Sequence, residues 1–163
     1  MWQTFVDYLR QMYPHNCIDY ANSLVHGSTN RSIKKLQRLQ NTAARIVLPH
    51  LSKLPSASLL RELHRLPIHS RIIYKLACLT YNSLTTGQPG YLRSLMNYCT
   101  PSSTLRSTNQ LLLDCPWFST EFGKRSFSYL VPTVWNDLPL DTRLSPTADT
   151  FKRRLKTVLF AHL

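Results

Sequence analysis

One stretch constrains this chain more than any other. In Lys34 to Val47, KKLQRLQNTAARIV, apolar residues recur at steps of three and four. That period belongs to an α-helix with one buried stripe. With Leu36 at the origin of a helical wheel, Leu39, Ala43, Ile46 and Val47 fall on one side. Arg31, Lys34, Arg38 and Arg45 fall nearly opposite, and Lys35 flanks them. Ala, Leu, Arg, Lys and Gln are all good helix formers. Pro49 ends the segment, because a proline inside a helix removes a hydrogen bond and clashes with the preceding turn. Ser28 to Asn30 offers N-cap candidates.

The same period marks other helices. Trp2 to Met12 predicts one, and Cys17 to His26 another, with Gly27 as its C-terminal cap. Ser56 to Arg65 predicts a short helix. Pro67 then opens a long one that Gly87 closes. Gln88 to Tyr98 suggests a further short helix. Phe127 to Asp137 predicts a helix despite Pro132, and Ser145-Pro146 opens a last one through Phe160. From Thr100 the texture changes to Ser, Thr, Asn and Pro around short apolar runs. Here LRST and LLLDCP, about Leu105 to Pro116, predict one small β-hairpin-like element. The expected fold is mainly α, a helical domain with that element in its C-terminal third. The expected division is residues 1–99 and 100–163.

Charge narrows the partner. The chain of 163 residues carries 20 Lys and Arg against 8 Asp and Glu, a net +12. Such an imbalance favours an anionic partner and says little about fold. It is densest on the first long helix, where five bases meet no acid. Surface-paired helices place Glu four residues before Lys, and none does so here. Like charges at this spacing repel by a few tenths of a kcal/mol per pair, a cost that bound phosphates would offset. The last helix repeats the pattern. Phe151, Leu155, Val158 and Leu159 form its apolar side, and Lys152, Arg153, Arg154 and Lys156 supply cations. The candidate nucleic-acid-binding residues are Arg31, Lys34, Lys35, Arg38, Arg45, Lys152, Arg153 and Lys156. Tyr74, Tyr81, Tyr91 and Tyr98 lie near bases and suit either stacking or the core. Trp135, Leu138 and Pro139 are expected to pack.

Catalytic chemistry is hard to assemble from these residues. No Asp-Asp or Asp-x-Asp pair offers a two-magnesium site. No glycine loop suits a phosphate, and no Gly-x-Ser-x-Gly occurs. His64 and His69 are five apart, off the i, i+4 face of a helical zinc site, with Pro67 between them. The expectation is a chain with no enzymatic activity of its own, no metal and no cofactor. The four cysteines form no Cys-x-x-Cys, and MWQTFVDYLRQ lacks the apolar core of a signal peptide. An intracellular, reducing setting is expected, without a choice between nucleus and cytoplasm. No apolar run is long enough to span a bilayer, so no membrane partner is expected.

The order of several blocks adds a resemblance. IDYANSLVHG, IKKLQRLQNTAARIV, LHRLPIHSRIIYKLACLTYNSLTTGQPGYLRSLM, YCTPSSTLRSTNQLLLDCP, GKRSFSYLVPTVWNDLP and FKRRLKTVLF follow one another across about residues 17–160. In this order they resemble the region beyond the palm of reverse transcriptases from non-LTR (LINE-like) retrotransposons. The resemblance implies the thumb and post-thumb part of an RNA-directed DNA polymerase. It implies contact with RNA or an RNA–DNA hybrid through backbone phosphates, and a palm domain as a further partner. The chain departs from that pattern at three places. The palm with its catalytic aspartates is missing, so Met1 is expected to begin a fragment. Arg65 stands where the family usually has Trp, and LPHLSKLPSASLL is short of the usual basic loop. The alternative is a structural docking scaffold, or an inert relic of a degenerate transposable element.

Overall fold

The computed structural model describes residues 30–99 and 110–161. The helices expected over residues 2–12 and 17–26, and the LRST half of the hairpin, lie outside them. The described elements are helical: α1 (Asn30–Val47), α2 (Ser56–Glu62), α3 (Ile68–Thr86), α4 (Gly90–Arg93), α5 (Phe127–Asn136), α6 (Leu140–Arg143) and α7 (Ala148–Ala161). Short 3-10 turns occupy Pro49–Leu51 and Gly123–Arg125. The described residues fall into two compact units, 30–72 with 159–161, and 73–158.

In the first unit, α1 packs on α2. Ala44, Val47, Leu48, Leu59 and Leu60 form a buried cluster, with Leu51 and Leu63 against it. Ala44 has no exposed surface, so the small side chain lets α2 come close to the α1 backbone. α2 ends in a Schellman turn. Arg65 N–H donates to the Leu60 carbonyl at 2.7 Å and His64 N–H to the Arg61 carbonyl at 2.9 Å. His64 takes the left-handed position at φ 50°, a place usually given to glycine.

Two glutamines of α1 then clasp the LPI turn. Gln40, fully buried, donates from Nε2 to the Leu66 carbonyl at 2.8 Å. Gln37 Oε1 accepts from Ile68 N–H at 2.9 Å, satisfying one of the donors that a helix start leaves open. Gln37 Nε2 donates to Gln40 Oε1 and to Asn41 Oδ1, at 3.0 and 2.8 Å. The amides of LQRLQN therefore hold the start of α3 in register with α1.

In the second unit, the core gathers on Phe151. Tyr81 stacks on it with ring centroids 4.4 Å apart, and Trp135 lies at 6.0 Å. Leu76, Met96, Leu113, Val131 and Leu155 are buried with them. The Tyr81 hydroxyl donates to the Ser145 carbonyl at 2.7 Å. α3 stops at Gly87, whose φ of 72° turns the chain out of the helix. α5 keeps Pro132 in its interior, and Pro132 is buried. As expected, Trp135 and Leu138 pack; Pro139 is exposed.

The described half of the expected β-hairpin-like element forms no strand. Among the described residues there is no strand, only one isolated antiparallel bridge between Tyr98 and Leu113. Side chains from α5 explain why. Asn136 Oδ1 accepts from Leu113 N–H, and Asn136 Nδ2 donates to the Leu113 carbonyl, both at 2.9 Å. Trp135 Nε1 donates to the Leu111 carbonyl at 2.9 Å. These backbone groups, which a second strand would have used, are already paired. Leu111 also has φ 50°, which no strand tolerates.

The buried face of α1 is rotated from the expected one. Leu39 is 60% and Ile46 62% exposed, whereas Gln40 is fully buried. The stripe is centred between Leu36, Gln40, Ala44 and Val47. The clasp on Leu66 and Ile68 draws the polar glutamine inward, and Leu39 and Ile46 turn out beside the cations.

Candidate nucleic-acid interface

The cations of α1 are displayed as a row. Arg31, Lys34, Lys35, Arg38 and Arg45 are all exposed. With 1.5 Å of rise per residue, Arg31 to Arg45 spans about 21 Å of helix axis. None of the five pairs with a carboxylate among the described residues, where both recorded ion pairs, Lys124–Glu121 and Lys152–Asp149, lie elsewhere. Arg45 reaches only a neutral group, with Nη2 donating to Ser56 Oγ at 3.1 Å. Buried clasp and exposed row are two faces of one helix: fixing Gln37 and Gln40 inward fixes the rotation at which the cations point out.

The cations of α7 are differently placed. Lys152 sits 3.5 Å from Asp149, both well exposed. Lys156 lies over the Tyr74 ring at 5.8 Å from its centroid. Arg154 donates to the Asp141 carbonyl. Arg153 is exposed. Three of the four thus have partners within the second unit, unlike the α1 row. α1 and residues 148–158 of α7 belong to different units.

Tyr74 and Cys78 form a half-buried edge to this region. Burial first, then the neighbouring Cys78, pushes the Tyr74 hydroxyl up to about 12. Burial likewise pushes the Cys78 thiol up, against weaker opposing effects of its hydrogen bond with Tyr74 and of Lys152 and Lys156. At the Lys124–Glu121 pair the mutual hydrogen bond holds the carboxyl below its ordinary value and the ammonium above.

Aromatic residues divide. Tyr81 is core, while Tyr91 is 72% exposed. The sequence reading missed Trp117 and Phe122, which are 85% and 84% exposed in the turn before Lys124 and Arg125. Gly123 is required in that turn, because a Cβ there would meet the Phe118 ring at 2.8 Å. The signal was available: three large aromatics in CPWFSTEFGKR, next to bases and outside any periodic stripe. Among the described residues no group of three His, Cys, Asp or Glu is placed to hold a metal ion. Nor is any described helix long and apolar enough to cross a membrane.

No protein-family model, curated protein or solved structure matches this chain.

Proposed function

We propose that this chain is a non-catalytic nucleic-acid-binding module that holds RNA or an RNA–DNA hybrid by its backbone phosphates. On this reading it serves as the thumb and post-thumb part of a non-LTR retrotransposon reverse transcriptase, beside a palm domain. The observation that carries the reading is the α1 row, five exposed cations with no carboxylate partner among the described residues. Uncompensated guanidinium and ammonium groups in a row suit a ladder of phosphates, and releasing its counterions supplies the driving force. The block order of the sequence supports the polymerase context.

The test replaces Arg31, Lys34, Arg38 and Arg45 by Gln and follows binding to an RNA–DNA hybrid across a salt series. With four phosphates neutralised, log K against log salt slopes about −3 to −4 for the natural chain. The substituted chain is expected to bind far more weakly, with a clearly shallower slope. An unchanged affinity and slope would eliminate α1 as the contact.

A second reading, docking onto a palm domain, is favoured by Leu39 and Ile46, two apolar side chains left open beside the cations. The two readings are compatible, since they use adjacent sides of one helix.

A further inference from the structure

In the second unit a cavity of about 240 Å³ opens among Tyr81, Leu84, Tyr98, Leu111, Trp135 and Leu144. One charged group lines it. Arg143, at the end of α6, is only 7% exposed. Its Nε and Nη1 are sealed from solvent, and no oxygen accepts a hydrogen bond from either. A buried guanidinium nitrogen without an acceptor is costly, because it has given up its water and gained no partner. Burial pushes its ionisation below the ordinary arginine value.

Most of the other polar groups around the cavity are already engaged. The Tyr81 hydroxyl donates to the Ser145 carbonyl and Ser145 Oγ to the Thr142 carbonyl. Thr85 Oγ1 donates to the Tyr81 carbonyl, and Trp135 Nε1 to the Leu111 carbonyl. Arg143 is therefore the one charged side chain along an open, largely apolar and aromatic hollow, with two unpaired nitrogens just beneath its surface, and no acid or second base lines the wall.

We propose that this cavity is a binding site for a small carboxylate with an apolar body, its carboxylate on Arg143 and its body against Trp135, Tyr81 and the leucines. A carboxylate matches the planar fork of a guanidinium and carries one charge against one. A phosphate dianion would bring a second negative charge with no second cation to meet it. The volume is below the roughly 300–1,000 Å³ of drug-sized sites, so the body is an aryl or short branched alkyl group. The site goes beyond the nucleic-acid reading and uses none of the α1 cations.

The experiment titrates the full chain with phenylacetate, isovalerate, the neutral phenylacetamide and inorganic phosphate. Melting temperature and Trp fluorescence are followed. The acids are expected to bind saturably with an affinity on the order of 1 mM. Phenylacetamide and phosphate should bind at least about tenfold more weakly at this site. R143M should abolish the response to the acids and melt higher than the natural chain when free, because the unpaired charge is gone. R143K keeps the charge but loses the fork, and should weaken the acids by about tenfold; it carries the test if R143M does not fold. An equal response of the natural chain to phenylacetate and phenylacetamide would overturn the proposal. So would a response to phenylacetate undiminished in R143K or R143M, or no saturable response in the natural chain.

Discussion

Three single residues do work that their neighbours in sequence do not announce. His64 occupies the left-handed turn that closes α2. A side chain there costs about 1 kcal/mol or more relative to glycine, partly offset by the greater freedom of glycine in the unfolded chain. H64G is therefore expected to stabilise the protein by roughly 0.5–1 kcal/mol, read as a higher urea midpoint with unchanged slope. Asn136 does the opposite kind of work, pairing both backbone groups of the buried Leu113. Replacing it by Ala leaves an amide and a carbonyl without partners, a loss of about 2–3 kcal/mol. Hydrogen exchange at the Leu113 amide should quicken in N136A, while exchange in α1 stays as it was. The third, Arg143, carries a charge with no internal acceptor for two of its nitrogens.

At the scale of elements, α1 is one helix with two tasks. Its inward amides set the start of α3, and its outward bases form the row. Because one rotation serves both, damage to the clasp should reach the interface. Q40L removes the buried donor to the Leu66 carbonyl and one acceptor of the Gln37 amide. The expected loss is about 1–3 kcal/mol in urea unfolding. Hybrid binding of the folded Q40L should weaken less than that of the fourfold Gln variant, since every cation is retained. The hairpin shows how an element can fail while its residues keep their extended path. LLLDCP is held on one side by an indole and a side-chain amide of α5 and on the other by the backbone of residues 97–99, so its partners are a helix and a short bridge. The expectation from short apolar runs among turn residues identified a segment that needs backbone partners, and misjudged which groups supply them.

For the molecule as a whole, a net charge of +12 opposes association of copies, while the exposed Leu39 and Ile46 offer an apolar contact. Raising the salt screens the first effect and leaves the second. Sedimentation should show self-association that grows with salt, and L39E together with I46E should suppress it. A monomer at every salt concentration would remove the docking role of this ridge. The balance also orders the partners: an anionic ladder meets the bases without having to cover the apolar ridge, whereas a protein partner seated on Leu39 and Ile46 would need acids placed for Lys35 and its neighbours.

Helical class, most helix positions and the charge of α1 were legible from residue order. Each is local: period, propensity and the placement of Pro and Gly act within a few turns of chain. Gly87 ended its helix as read, and Trp135 and Leu138 packed as read. What only the tertiary structure decided was the rotation of α1, the absence of a strand among the described residues, and the enclosure of Arg143. Each depends on a hydrogen-bond partner, or the lack of one, far along the chain: 26 residues separate Gln40 from Leu66, and 23 separate Leu113 from Asn136. A glutamine looks solvent-facing until a carbonyl arrives to be satisfied, and an arginine among leucines looks exposed until the core closes over it. Periodicity weighs how greasy a position is; it cannot weigh a polar group whose acceptor belongs to another element.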